Sequence, residues 1–170
     1  MKTLYTDYVE TPIGDVILVA DGESLVFVDF ANNEERLQRL LARRYRQFTL
    51  AQHTGVNGFA AQVKRYFDGE LQALGSLPVS TGGTSFQQGV WLKLRDIPVG
   101  QTMSYGQLAA QVDLPKGARA VGMANGLNPI GIVLPCHRVI GTNQSLTGYA
   151  GGVERKRWLL RHEGALFKDN

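Results

Sequence analysis

The sequence predicts an α+β protein of two small domains: a small antiparallel sheet with helices, then a mostly helical, winged helix-turn-helix domain that carries the sole cysteine. Short apolar or alternating runs separated by turn signals fill the first third of the chain. Residues 73–85 are poor in charge and rich in Gly, Ser and Thr, and helix-like segments follow them. We therefore expect domains at residues 1–75 and 86–170, joined by a linker at 76–85.

Three runs near the N-terminus predict the strands of an antiparallel meander, at residues 5–9, 13–20 and 25–30. The turn signals Thr11-Pro12-Ile13-Gly14 and Asp21-Gly22 separate these runs. A helix is predicted from Asn33, as N-cap, to about Tyr45, because its leucines recur at helical spacing: Leu37, Leu40 and Leu41. Its arginines are expected to face water: Arg36, Arg39, Arg43 and Arg44.

A second amphipathic helix is predicted over residues 59–67, and helices also dominate the second half. Residues 86–95 place Phe86, Val90, Trp91 and Leu94 on one helical face. Ser104 is the expected N-cap of a helix over 105–111, and another helix is expected over 118–126 after a tight turn. Such a pair is typical of a helix-turn-helix.

The second helix of that pair carries small residues at Ala118, Ala120, Gly122 and Ala124. A helix with such small side chains can approach a nucleic acid closely. Tight packing against a neighbouring helix explains the same residues equally well, so the spacing alone leaves both interpretations open.

Charge and composition narrow the functional classes. With 44% hydrophobic and 19% charged residues, the chain is not intrinsically disordered. The formal charge is +3, but residues 1–85 hold 8 Lys/Arg against 10 Asp/Glu while residues 86–170 hold 10 against 5, so the second half is the candidate for contact with an anion. No run approaches the roughly 20 apolar residues of a membrane span, which predicts a cytoplasmic protein without a membrane partner.

The chain has one cysteine, Cys136, which excludes an intramolecular disulfide and Cys-rich zinc sites. The three histidines, at positions 53, 137 and 162, lack ligand spacing, so neither a metal nor a cofactor is predicted. Cys136 follows an apolar run over 130–134 that we expect to be a strand, and it precedes His137 and Arg138. A lone cysteine in an apolar run is by default a buried small hydrophobe, but a neighbouring base and positive charge favour a thiolate.

Adjacent side chains in an extended segment point to opposite faces, so a water is the expected link between Cys136 and His137. A thiolate can attack a saturated carbon and form a thioether. With no second cysteine to receive the group, that reaction would end after one turnover.

The motif Pro135-Cys136-His137-Arg138-Val139 resembles the active-site signature of the O6-alkylguanine-DNA alkyltransferases, and Arg119-Ala120-Val121-Gly122 resembles that family's recognition-helix motif. The likeness runs in unbroken order through the second half, including Gly100-Gln101, Ser104-Tyr105, Asn128-Pro129, residues 148–152 and residues 158–164. The resemblance implies a bacterial DNA-repair methyltransferase. It would flip O6-alkylguanine, with O4-alkylthymine as a further candidate, out of the duplex and move the alkyl group to Cys136.

The resemblance also implies a role for each matching residue. Cys136 would accept the alkyl group, His137 would draw off its proton through a water, and Glu163 would orient the imidazole. Tyr105 would donate its phenolic proton toward guanine N3. Asn128 would hold the turn between the recognition helix and the active-site strand. The substrate pocket would consist of Tyr105, Pro135, Cys136, Val139, Tyr149 and Ala150, with the main-chain carbonyls of Cys136 and Val139 reading the exocyclic amine.

For DNA binding, the resemblance implies that the helix bearing Gly117, Ala118, Ala120 and Gly122 enters the minor groove. Arg119 would fill the stack left by the flipped nucleotide, and Tyr105 would crowd the adjacent phosphate. The implied partner is double-stranded DNA containing O6-alkylguanine, bound by a protein that is a monomer in solution, with cooperative assembly along DNA left open. At Asn125 some relatives carry an apolar side chain instead.

Other functions remain as alternatives. A non-catalytic lesion-binding protein would lack the nucleophile, so Cys136 argues against it. A transcriptional regulator would need base-reading side chains on residues 118–126, where alanine and glycine offer none. A thiol hydrolase would turn over a small acyl or peptide substrate repeatedly. Individual residues also have simpler interpretations: Glu163 as a partner of Arg161 or of a terminal lysine, Asn128 as a helix-ending residue, Tyr149 as a core aromatic and Arg119 as an exposed helix residue.

Overall fold

The computed structural model describes residues 1–169 and divides the chain into two compact units, Met1–Gly83 and Thr84–Asn170. The predicted α+β class is confirmed, with a sheet and helices in the first unit and mainly short helices in the second. In the part of the chain that is described, no helix combines the length and the apolar character that crossing a membrane requires.

The first unit is built on a four-stranded sheet with the strand order β3-β2-β1-β4. Its strands are β1 (Lys2–Val9), β2 (Val16–Asp21), β3 (Ser24–Phe30) and β4 (Phe48–Gln52). Strands β1 to β3 form the predicted antiparallel meander, whereas β4 lies parallel to β1. Strand β4 is not predicted from the sequence, because this edge strand is only half-buried and its five residues carry no strong apolar pattern.

The first unit also contains the two predicted helices, α1 (Glu34–Tyr45) and α2 (Phe59–Phe67). Leu37 and Leu41 of α1 pack with Leu4 and Phe27 of the sheet in one buried cluster. The prediction that Arg36 faces water is wrong. Its guanidinium is buried and lies 3.1 Å from the Asp29 carboxylate of β3.

Two further features of α1 and its surroundings differ from expectation. Asn33 makes no side-chain cap on α1, and instead donates to Asp29 across 3.1 Å. The buried Asp29 carboxylate needs hydrogen-bond partners to offset its lost hydration. Arg36 is therefore buried beside it, and Asn33 bonds to Asp29 instead of capping α1. Most of the predicted linker, residues 76–85, is part of the first unit. Leu77 is buried there, and Ser80 N donates to Leu25 O at 2.9 Å.

The second unit contains α3 (Ser85–Lys93), β5 (Met103–Ser104), α4 (Tyr105–Gln111), α5 (Ala118–Gly126), β6 (Val139–Ile140) and α6 (Val153–His162). The helices predicted over 105–111 and 118–126 are confirmed. Ser104 caps α4 as predicted, because its hydroxyl accepts from Gln107 N at 3.1 Å while Gln107 accepts from Ser104 N at 2.8 Å. Of the residues predicted to share one helical face, Val90 and Trp91 are buried in α3, whereas Phe86 lies in its first turn and is exposed.

The apolar run over 130–134 is a set of turns and not the expected strand. Leu134 N donates to Ile130 O at 2.9 Å, and Ile132 has a positive φ of 69°. Asn128 closes this turn: its Nδ2 donates to Leu134 O at 2.8 Å and its Oδ1 accepts from Ile130 N at 3.0 Å. A short apolar run does not by itself distinguish a strand from another buried segment.

Candidate active site

The short sheet of the second unit brings the tyrosine and the cysteine segment together. Strands β5 and β6 are parallel and pair Met103 with Val139 and Ser104 with Ile140. Tyr105 directly follows β5 as the first residue of α4, and the 3₁₀ turn Cys136–Arg138 directly precedes β6. Both segments therefore flank the same pair of strands.

Cys136 is nearly buried, with 6% of its surface exposed. Its main-chain carbonyl accepts a hydrogen bond from Asn125 Nδ2 at 3.3 Å, which ties the C-terminal turn of α5 to the nucleophile. The Oδ1 atom of Asn125 is buried and makes no hydrogen bond within residues 1–169. Asn125 thus makes a polar contact to the backbone of the candidate nucleophile.

His137 and Glu163 form a buried pair behind the cysteine. Nε2 of His137 lies 2.9 Å from Oε2 of Glu163, and neither side chain is exposed. Arg138 adds two bonds to the same carboxylate, at 2.8 and 3.0 Å, and a third to Ile97 O at 2.7 Å. This bidentate pair compensates a carboxylate that has lost its hydration. Arg161, the alternative partner considered for Glu163, forms an ion pair with Asp169.

The electrostatics of this pair decide its protonation. Burial alone would raise the pKa of Glu163, but the hydrogen bonds from His137 and Arg138 and the positive charge of Arg138 outweigh burial and hold that pKa well below its usual range. Burial lowers the pKa of His137 and outweighs the opposing effect of Glu163. We therefore assign a neutral imidazole with its proton on Nε2, facing the carboxylate. Nδ1 then carries a lone pair, and this buried atom has no hydrogen-bond partner among the residues described.

Lys156 is a buried charge that the sequence analysis missed. Its side chain is fully buried and Nζ donates to Val139 O at 2.6 Å. Burial lowers the pKa of Lys156 to about 8, while the negative charge of the Cys136 thiolate opposes that shift. A signal for it is present in the sequence: Lys156 shares one helical face of α6 with Leu159 and Leu160, and Glu163 follows seven residues after Lys156 as the C-cap of the helix.

Tyr105 is half-buried, and its hydroxyl lies 2.8 Å from Thr147 Oγ1. The same Thr147 oxygen accepts from Lys156 Nζ at 3.3 Å. Gly122 of α5 lies beside the Tyr105 ring, where an added methyl group would stand 3.5 Å from a ring carbon. That distance is an ordinary van der Waals contact, so an alanine at position 122 would pack against the Tyr105 ring and the approach of α5 to α4 does not require a glycine.

The other residues expected to meet DNA lie on or next to α5. Arg119 and Ala120 are exposed, whereas Gly117 and Ala118 are half-buried. Of the remaining residues expected in the pocket, Pro135 and Val139 are buried, Tyr149 is half-buried and Ala150 is exposed. Across residues 1–169 no cluster of three or more His, Cys, Asp or Glu side chains could hold a metal ion.

Models of known protein families match both units of the chain. Residues 4–81 match the family model described as the ribonuclease-like domain of 6-O-methylguanine DNA methyltransferase, and residues 85–165 match the DNA-binding domain of the same enzyme. The chain belongs to the 6-O-methylguanine DNA methyltransferase family. Cys136, His137 and Glu163 all lie in the stretch that matches the DNA-binding domain.

Similarity to individual members of the 6-O-methylguanine DNA methyltransferase family extends over nearly the whole chain. A methylated-DNA–protein-cysteine methyltransferase of Shigella flexneri is 48% identical over 98% of this chain and 99% of its own length. The crystal structure of the O6-methylguanine methyltransferase of Mycobacterium tuberculosis matches with a TM-score of 0.78 and 38% identity, covering 96% of this chain and 93% of that one. A structure of the Mycobacterium tuberculosis protein in complex with DNA matches with a TM-score of 0.75 and 38% identity over 95% and 92% of the two chains.

Proposed function

We propose that this protein repairs DNA by moving one alkyl group from O6 of guanine to Cys136, where it remains as a thioether. The observation that carries the proposal is the buried His137–Glu163 pair, 2.9 Å apart, directly beside the sole cysteine of the chain. The full-length relative named methylated-DNA–protein-cysteine methyltransferase supports this reaction class. The same chemistry on O4-alkylthymine is a secondary expectation.

The imidazole of His137 is the base that activates the Cys136 thiol, and the Glu163 carboxylate holds this imidazole in place. His137 Nδ1 takes the Cys136 proton through a bridging water, because the proton on Nε2 is committed to Glu163. The imidazolium that forms is stabilised by the Glu163 carboxylate, which stays ionised in its contact with Arg138. The resulting thiolate attacks the alkyl carbon, and Lys156 supplies a positive charge nearby.

The departing guanine develops negative charge that the pocket neutralises. Tyr105 donates its phenolic proton toward N3 of the base. The carbonyls of Cys136 and Val139 accept from the exocyclic amine and select guanine. The Val139 carbonyl also accepts from Lys156, and the Cys136 carbonyl also accepts from Asn125 and from the main-chain N–H of Val139, which closes the 3₁₀ turn. The wall of the pocket is completed by Pro135, Tyr149 and the N–H of Ala150, while Asn128 holds the turn that leads to Cys136.

DNA is the macromolecular partner, in line with the DNA complex of the Mycobacterium tuberculosis protein. The small-residue face of α5 enters the minor groove and Arg119 fills the stack after the damaged nucleotide rotates out. We propose a monomer in solution, with cooperative assembly along DNA as a further expectation. The site of action is the cytoplasm, where bacterial DNA is reached directly and a lone thiol stays reduced.

Counting repaired bases tests this function. With duplex DNA containing O6-methylguanine in excess over protein, repair should stop at one lesion per chain. The Cys136→Ala variant should repair none and still bind the duplex, because the thiol contacts no phosphate. Repeated turnover per chain would contradict the proposal and favour a hydrolase, and residual transfer by Cys136→Ala would show that another group is the nucleophile.

A further inference from the structure

The hydroxyl of Thr147 contacts both Tyr105 and Lys156, which have separate roles in the proposed reaction. Thr147 Oγ1 lies 2.8 Å from the phenolic oxygen of Tyr105 and 3.3 Å from Nζ of Lys156. Lys156 is fully buried in α6, and its ammonium also donates to Val139 O at 2.6 Å. Thr147 belongs to the segment between β6 and α6 and has no part in the pocket derived above.

The chemistry of the three groups gives this chain of contacts a direction. An ammonium has only protons to donate, so Thr147 Oγ1 is the acceptor in its contact with Lys156. Accepting from a cation strengthens the same hydroxyl as a donor, since hydrogen bonds in a chain polarise one another. The Thr147 proton is therefore directed to the Tyr105 oxygen. The Tyr105 proton is then available for a partner other than Thr147.

We propose that Thr147 is a positioning residue that aims the phenolic proton of Tyr105 at the departing guanine and relays a proton from Lys156 to replace it. This inference rests on the proposed role of Tyr105 as the proton donor to N3. The role of Thr147 is separate from that of the His137–Glu163 pair, which acts on the thiol.

The relay balances with the alkyl transfer. The Cys136 thiolate forms the S–C bond as the C–O6 bond breaks, and the electron pair of the broken bond remains on the guanine. Tyr105 transfers its proton to N3, Thr147 transfers its proton to the Tyr105 oxygen, and Lys156 transfers one ammonium proton to the Thr147 oxygen. One thiolate and one ammonium are consumed, and the products are a neutral thioether, neutral guanine, neutral Tyr105 and Thr147, and a neutral amine.

Two properties of Lys156 suit it to be the source of the proton. Burial lowers its pKa to about 8, so the ammonium gives up a proton more readily than an exposed lysine does. The negative charge of the Cys136 thiolate acts on the ammonium and disappears when the thioether forms. The loss of that charge favours deprotonation of Lys156 at the moment when Tyr105 needs a proton.

The substitutions Thr147→Val and Thr147→Ser separate the hydroxyl from the shape of the side chain. Valine keeps the size and removes the oxygen, whereas serine keeps the oxygen. We expect Thr147→Val to slow the single-turnover transfer step about tenfold, which corresponds to the loss of one charge-assisted hydrogen bond, with unchanged affinity for unmodified duplex DNA. Thr147→Ser should restore most of the rate. Equal rates for wild type and Thr147→Val, or equal losses in both variants, would overturn the relay.

A substrate without the proton acceptor distinguishes a relay from a structural role. In duplex DNA carrying an O6-methylguanine analogue with carbon in place of N3, Tyr105 has no base nitrogen to protonate. Wild type and Thr147→Val should therefore react with this analogue at the same, reduced rate. A tenfold loss on the analogue as well would show that Thr147 only supports the fold, and so overturn the proposal.

The variant Tyr105→Phe separates failure of the inference from failure of the proposed function. It should be slow on O6-methylguanine and should show no further loss when combined with Thr147→Val. If Tyr105→Phe reacts as fast as wild type, the assignment of Tyr105 as proton donor fails and the relay fails with it. If Tyr105→Phe is slow but Thr147→Val is not, only the relay is overturned.

Discussion

The imidazole of His137 meets the carboxylate of Glu163 across 2.9 Å, with neither side chain exposed to solvent. This contact fixes which ring nitrogen carries the proton and leaves Nδ1 as the base. Because Arg138 bonds to the same carboxylate, the buried Glu163 stays ionised. The reactivity of Cys136 therefore depends on a charge that lies behind the histidine.

The substitution Glu163→Gln tests that dependence. It keeps the shape of the side chain but removes the charge, so we expect the transfer rate to fall about 100-fold, within the range assigned to general-base catalysis. We also expect a loss of about 3 kcal/mol in the free energy of unfolding, because the buried Arg138 loses its counter-charge. Single-turnover kinetics and denaturant titration measure the two effects.

The matched control is Glu154→Gln, the same substitution at an exposed position in the first turn of α6. It should change the transfer rate and the stability little, because exposed ion pairs contribute at most about 1 kcal/mol. If Glu163→Gln behaves like this control, the buried carboxylate is not part of the catalytic apparatus.

Stability should fall as the pH is lowered. The pKa of His137 is depressed below its usual 6.5, so the unfolded chain takes up a proton below that pH while the folded chain does not. The pKa of Glu163 is depressed below its usual 4.5, so its stabilising contribution is present above that value and lost as the pH falls toward the folded-state pKa. Both groups destabilise the native state in acid.

Denaturant titrations between about pH 7 and pH 4 should show a free energy of unfolding that decreases from about pH 6.5 and more steeply below about pH 4.5. The Glu163→Gln variant should lack the steeper part of this curve. A wild-type stability that rises over the same interval would contradict the assigned protonation states.

The substitution Arg119→Ala should affect repair of duplex DNA far more than reaction with free O6-alkylguanine base. Arg119 is exposed on α5, on the face proposed to enter the minor groove. Without a side chain to fill the vacated stack, the flipped state costs more free energy. Rates measured on both substrates test this, and comparable losses on both would mean that Arg119 supports the fold or the pocket.

Affinity for unmodified duplex DNA should decrease steeply with salt and depend little on sequence. Residues 86–170 carry 10 Lys/Arg against 5 Asp/Glu, while α5 offers few groups that read bases. Each phosphate that the protein neutralises contributes about 0.9 to the slope of log affinity against log salt. Titrations of several unrelated duplexes across a salt series measure both properties. A strong preference for one sequence would favour a regulator, and a negligible salt slope would exclude the basic half as the DNA face.

The elements near the candidate site were largely predictable, because local rules agree there with the tertiary structure. The Ser104 cap, the bounds of α4 and those of α5 follow from capping residues and turn signals. The run over 130–134 was not predictable, since its turns depend on hydrogen bonds from Asn128 that no local pattern contains. The resemblance led to Glu163, but it did not reveal that Arg138 would compensate its charge.

The groups missed by sequence reasoning are those whose role depends on burial in three dimensions. Lys156 is the middle one of three successive basic residues. The packing of α6 shows that Lys156 is buried while its two neighbours are partly exposed. Thr147 gains its place from two contacts distant in sequence, with Tyr105 and Lys156. The exposure assigned to Arg36 failed for the same reason, because Asp29 lies on a different element.

The mass of the intact protein after reaction tests the central claim most directly. Wild-type protein is incubated with duplex DNA containing O6-methylguanine, and the modified residue is then located by peptide mapping. We expect each reacted chain to gain one methyl group in place of one hydrogen, the group to lie on Cys136, and the DNA to be left with unmodified guanine. Repaired DNA with no change in protein mass, or a methyl group on any residue other than Cys136, would contradict the claim.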